Sequence, residues 1–170
     1  EAGQSLRKAF LKSPVEFSRI SSHYNLKRFH PILQKTKAHY GTDYAAPKGT
    51  PILAVGDGVV SKSSYTKGNG KYVKIRHNKT YETQYLHMSR RAVSAGESVK
   101  QGQVIGYVGS TGLATGPHVC FRFWKNGKQV NHLREEFPPS TPIEKEKMNA
   151  FQATVQELST AITALSVARK

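Results

Sequence analysis

The sequence predicts a mainly β, antiparallel domain of sandwich or open-barrel type, followed by one C-terminal α-helix. Three observations predict it. Short segments between residues 50 and 132 alternate apolar and polar residues with period two, the signature of half-buried strands. Fourteen Gly and eight Pro in 170 residues supply the turns that many short strands need. After Pro142 the period changes. Met148, Phe151, Val155, Leu158, Ile162 and Leu165 recur at alternating steps of three and four, which places them on one stripe of a helix.

Residues 5–11 (Ser-Leu-Arg-Lys-Ala-Phe-Leu) predict a strand, and residues 15–20 (Val-Glu-Phe-Ser-Arg-Ile) a short helix or strand beyond Ser13-Pro14. Residues 39–43 read as extended, because Gly41 and the Ala45-Ala46-Pro47 that follows disfavour a helix. Residues 51–60 hold two short apolar runs about Gly56-Asp57-Gly58. Residues 71–77 and 81–87 alternate as strands, and residues 104–108 predict another, before the Gly-rich stretch 109–116. Residues 119–130 predict a hairpin, with Asn126-Gly127 suited to a type I′ turn. The proline-rich 137–142 marks a boundary. The expected organisation is a lead-in over 1–35 that ends an upstream region, a β domain over 36–134, a linker over 135–143 and an amphipathic helix over 144–170. The helix stripe is too short for a free coiled coil, so residues 148–165 are expected to pack on an upstream domain or a partner helix.

Charge narrows the partners. Lys and Arg number 26 against 11 Asp and Glu, a formal net charge of +15. All of it lies in residues 1–132, which hold 21 bases and six acids; residues 133–170 are balanced at five and five. Such a field concentrates polyanions, with peptidoglycan, teichoic acid, acidic lipid and nucleic acid all in scope. No nucleic-acid reading motif is present, so nucleic acid is not an expected partner. No run of apolar residues is long enough for a transmembrane segment, and the polar opening residues are not expected to be a signal peptide. A single cysteine excludes a disulfide framework and any all-Cys zinc finger. H-E-x-x-H, G-x-S-x-G and P-loop patterns are all missing.

Seven histidines remain as chemistry: His23, His30, His39, His77, His87, His118 and His132. Two local patterns stand out. In an extended segment, His39 and Asp43 share a face across Gly41, and an imidazole and a carboxylate so placed can hold Zn²⁺. The same residues also suit a turn beside a surface His. In a strand, His118 and Cys120 point to one face while Val119 points to the other. Cys120 is then either a zinc thiolate or a small buried hydrophobe. Tyr40, Tyr44 and Tyr85 can line a substrate groove or serve as packing.

In order along the chain, these blocks resemble the lysostaphin-type (LytM-like) zinc metallopeptidases, and the lead-in resembles the Gram-negative envelope endopeptidases that cut peptidoglycan cross-links. Residues 18–25 and Arg28-Phe29-His30-Pro31 look like the lead-in. Residues 39–51 are similar to the family's H-x-x-x-D block and the Gly-Thr-Pro after it. Tyr85-Leu86-His87 looks like Y-x-H, and Thr115-Gly116-Pro117-His118 like the approach to H-x-H. The resemblance covers roughly residues 5–132. It implies a LytM-like fold and a Zn²⁺ cofactor held by His39, Asp43 and the residue at Cys120. It also implies His87 and His118 as catalytic imidazoles that do not bind metal, peptidoglycan as partner, and a periplasmic or cell-envelope location.

The sequence departs from that pattern at two positions. The second His of H-x-H is Cys120, and Val130-Asn131-His132 stands where many relatives have Val-Asn-Pro. Cys120 is a zinc thiolate, a lost ligand or an engineered exchange, in that order of preference. As a thiolate it makes the metal less positive: one carboxylate and two imidazoles leave zinc a net charge of +1, whereas Asp43 with a thiolate leaves zero. A less positive metal polarises water less, so a slower enzyme with a more alkaline optimum is expected. A catalytically degenerate module that binds cell wall or regulates an amidase is the rival expectation.

Overall fold

The computed structural model describes residues 9–30, 34–137 and 145–167. Two compact units result, Phe10–Glu136 and a second that contains the C-terminal helix. The first unit is antiparallel throughout. Its strands are β1 (Arg19–Ser22), β2 (Asn25–His30), β3 (Lys35–His39), β4 (Thr42–Ala45), β5 (Pro51–Leu53), β6 (Gly58–Thr66), β7 (Gly70–Arg76), β8 (Tyr81–Met88), β9 (Arg90–Arg91), β10 (Ser98–Val99), β11 (Val104–Tyr107), β12 (His118–Lys125) and β13 (Lys128–Val130). The large sheet runs β1-β4-β12-β8-β7-β6-β10, with β13 paired to β12; β5-β11-β9 and β2-β3 form two smaller sheets.

The core lies between the large sheet and the three-stranded one. Val73 and Ile75 of β7, Tyr85 of β8, and Val119, Phe121 and Phe123 of β12 are buried on one face of the large sheet, and Ile52 and Ile105 come from the small sheet. Gly106 of β11 seats against β8, since a Cβ there would lie 2.6 Å from the Met88 sulfur. The alternation that predicted β7, β8 and β12 therefore describes one face against the core and one away from it. The Asn126-Gly127 turn has positive φ at both residues, 50° and 75°, as a type I′ hairpin requires.

Several expectations need correction. Residues 5–8 lie outside the described residues, and residues 9–11 form no strand. Phe10 instead inserts into the core, edge-on to Phe123 with ring centroids 5.3 Å apart. Residues 15–18 are mostly turn, with Val15 buried, and β1 starts only at Arg19. Residues 39–43 are not one strand: β3 ends at His39, the chain bends over residues 40–41, and β4 begins at Thr42.

The second unit contains α1 (Met148–Val167), preceded by a short 3₁₀ turn over Lys145–Lys147. Met148, Phe151 and Val155 are half-buried, whereas Leu158 and Ile162 are 57% and 66% exposed. Among the described residues no helix is long and apolar enough to cross a membrane.

Candidate metal centre

Three strand segments bring the candidate ligands together. Cys120 on β12 stands opposite Asp43 on β4 in the sheet register. His39 ends β3, and the bend at Gly41 folds its imidazole back over β4. The bend needs glycine, because a Cβ at position 41 would sit 2.9 Å from the Cys120 sulfur and 2.8 Å from the Phe121 carbonyl oxygen. His39 Nε2 lies 2.9 Å from Asp43 Oδ1 and 3.5 Å from Cys120 Sγ. One donor atom from each residue falls within 4.8 Å of the others, and all three residues are buried.

The donor set fits zinc. Ligands at ~2.0–2.3 Å around a tetrahedral ion stand roughly 3–4 Å apart, and an imidazole nitrogen, a carboxylate and a thiol are the donors zinc takes. His39 is also held as a ligand is: its Nδ1 donates to the His23 carbonyl at 3.0 Å, with Ser22 Oγ at 3.4 Å, which leaves Nε2 facing Asp43 and Cys120. Two acidic groups and an imidazole nitrogen converging in a buried place make a site for a cation.

Each group is tuned by its surroundings. Burial pushes the Asp43 carboxyl up, but the His39 hydrogen bond and the nearby His39 and His118 charges outweigh it and bring it down to about 2. Burial, then the Asp43 charge, pushes the Cys120 thiol up to about 12. Metal uptake must therefore displace a proton from sulfur.

His87 and His118 stand beside these three residues, their ring centroids 4.8 Å apart. His118 Nδ1 donates to the Gly116 carbonyl at 2.8 Å, and His87 Nδ1 to the Thr111 carbonyl at 2.7 Å. Both rings thus keep Nε2 for other work, and His118 Nε2 lies 4.0 Å from Asp43 Oδ1. His87 has φ +64°, a strained backbone for a non-glycine residue and one met often at functional sites. Burial lowers its imidazole to about 4, so it is neutral at pH 7.

The tyrosines divide. Tyr40 is 44% exposed next to His39 and stays a candidate for substrate contact. Tyr85 does not: it is fully buried, accepts the Val55 amide at 3.0 Å and packs on Phe121, so it is a core residue. Tyr44 is buried too, with its hydroxyl 2.8 Å from His132 Nε2. His132, the second departure, fills space under the site edge-on to Phe121. The His30 side chain lies outside the described residues. Sequence reasoning missed the backbone anchors at His23, Thr111 and Gly116, which carry no side-chain signal. It also missed Arg122, which period two places on the face of His118 and Cys120.

Comparison with known proteins agrees with this geometry. Residues 37–132 match the model of Peptidase family M23. The chain is 50% identical over 155 residues to the peptidoglycan DD-endopeptidase ShyC of Vibrio cholerae, covering 91% of this chain and 36% of that protein. It is 41% identical over 157 residues to ShyA, also a peptidoglycan DD-endopeptidase of Vibrio cholerae, covering 92% and 36%. The chain thus spans little more than a third of the length of these relatives. Among solved structures, a zinc-containing peptidase from Vibrio cholerae superposes with a TM-score of 0.72 at 38% identity, over 78% of this chain and 42% of that one.

Proposed function

The chain belongs to peptidase family M23, and from that premise we propose that it is a zinc-dependent endopeptidase that hydrolyses amide bonds in peptidoglycan cross-links of the cell envelope. The observation that carries the proposal is the buried convergence of His39, Asp43 and Cys120, with two further imidazoles beside it that each keep one nitrogen free. Two relatives named as peptidoglycan DD-endopeptidases support the substrate class.

His39 through Nε2, Asp43 through a carboxylate oxygen and Cys120 through its sulfur would hold the metal. Zinc bound there supplies Lewis-acid polarisation of the scissile carbonyl and acidifies water. The protein's own groups do the rest. Neutral His87, or His118, accepts the proton of the attacking water at Nε2 and returns it to the leaving amine. Anchoring of each Nδ1 on a backbone carbonyl fixes the tautomer and aims the ring. The second imidazole donates to the oxyanion as it develops. Tyr40 lines the approach to this centre.

The experiment is metal analysis of the purified chain with a muropeptide digest. About one zinc per chain is expected, lost in Cys120→Ser, together with cleaved cross-links. One observation favours a second reading. A thiol stands where the family pattern implies an imidazole, which suits a degenerate module that binds cell wall without cutting it. Sacculus binding with no cleavage product, with or without added zinc, would establish that reading and end the first.

A further inference from the structure

One charged side chain at the site has no part in the chemistry above. Arg122 follows Cys120 by two residues on β12, so both side chains leave the same face of the sheet. They converge over Gly41, where a Cβ would lie 2.9 Å from Cys120 Sγ and 3.0 Å from Arg122 Cγ. The Arg122 stem therefore runs beside the Cys120 sulfur, at the edge of the candidate metal centre. Its Nε is buried with no hydrogen-bond partner. Among the described residues no carboxylate forms an ion pair with it.

Arg122 is half-buried, and a guanidinium nitrogen withdrawn from water is seldom left without an anion to meet it. A guanidinium is a fork of five N–H donors, and its shape matches a carboxylate. The surrounding field points the same way. Lys62, Lys74, Gln84 and Arg122 stand opposite one another across β6, β7, β8 and β12, a row that leads from the outer strands to the site and whose one paired cation is Lys74, 2.6 Å from Glu82.

We propose that Arg122 seats a carboxylate of the substrate, the one borne on the carbon next to the scissile nitrogen. The proposal rests on the endopeptidase reading for the identity of that bond. Arg122 is two residues from the Cys120 ligand position, so a group it holds must lie only a few bonds from the reacting carbonyl. A cross-link whose leaving amine belongs to an amino acid with a free α-carboxylate presents an anion at that distance. A glycine bridge presents a neutral amide there. Arg122 then selects the first kind of cross-link over the second.

The test uses two cross-link peptides that differ only in this group, carboxylate or carboxamide, each with the scissile amide replaced by a non-cleavable isostere. Binding to the full chain is measured by calorimetry for wild type, Arg122→Gln and Arg122→Lys, and the cleavable counterparts are assayed for hydrolysis. Wild type is expected to prefer the carboxylate by about 10- to 100-fold, the range of a hydrogen bond to a charged group. Arg122→Gln should erase the preference while binding the carboxamide as before, and Arg122→Lys should keep part of it. Equal binding of both peptides by wild type would overturn the proposal, as would a loss in Arg122→Gln that strikes both alike. If Arg122→Gln does not fold, the wild-type ratio and Arg122→Lys still decide. An Arg122-dependent preference without cleavage of either natural amide would keep the subsite and discard the hydrolase.

Discussion

Cys120 and Gly41 set the chemistry at the scale of single residues. The thiol lies in a buried place beside a carboxylate, and burial and that carboxylate both hold it protonated until a cation arrives. As a zinc ligand its thiolate would cancel one more unit of metal charge than an imidazole does. Cys120→His is therefore expected to raise hydrolysis at pH 7, on the order of tenfold, and to move the optimum toward neutrality. A pH–rate profile of both proteins checks this, and an unchanged rate would count against the thiolate. Gly41 matters through space rather than through φ. Gly41→Ala places a methyl 2.9 Å from Sγ and 2.8 Å from a backbone oxygen. Overpacking of this kind costs about 1–3 kcal/mol. Because the clash falls on a proposed ligand, zinc stoichiometry should drop by more than the thermal midpoint implies.

Strand β12 does most of the work among the elements. One face gives Val119, Phe121 and Phe123 to the core, and the other presents His118, Cys120 and Arg122. The short 3₁₀ turn after β13, His132–Arg134, returns to brace this arrangement, with His132 under Phe121 and against Tyr44. Burial lowers the His132 imidazole to about 4. A group held neutral in the fold adds stability above its unfolded pKa near 6.5, and that stability is lost as pH falls from about 6.5 toward 4. The loss amounts to about 3 kcal/mol at most, by linkage over the interval between those two values. Urea midpoints at pH 7 and pH 4.5 should therefore diverge less in His132→Phe than in wild type. An identical pH slope in the two proteins would show that His132 takes no part.

At the scale of the whole molecule, charge and chain organisation govern how substrate is met. The net charge of +15 is carried entirely by residues 1–132, the part that also holds the site. Sacculus binding should weaken steeply between low and physiological salt, as the Debye length contracts to ~8 Å. Insensitivity to salt in a pull-down would remove the field from the account. The helix α1 keeps Leu158 and Ile162 exposed. Replacing both with Ser should change the unfolding free energy by no more than about 0.5 kcal/mol, as for surface positions generally, and a urea titration checks this.

How much was legible varies by residue, and the reason is physical. Period-two alternation is local, so β7, β8 and the β12–β13 hairpin could be read directly, along with the helix stripe and the order of the motif blocks. For the same reason His118 and Cys120 could be placed on one face from sequence alone. Strands β2 and β3 were not legible, because Asn25–His30 and Lys35–His39 are largely polar and pair with each other, leaving no alternation to read. Tyr85 looked like a site residue because it sits two positions before His87. Only packing decided otherwise, since the backbone twists to positive φ at His87 and sends that ring to the site while Tyr85 stays in the core. The sequence by itself determined which side chains were on offer: an imidazole, a carboxylate, a thiol and two spare imidazoles. Tertiary structure alone decided that the first three meet within one ion's reach, because a bend at Gly41 and the pairing of β4 with β12 close distances of some eighty residues that no local pattern records.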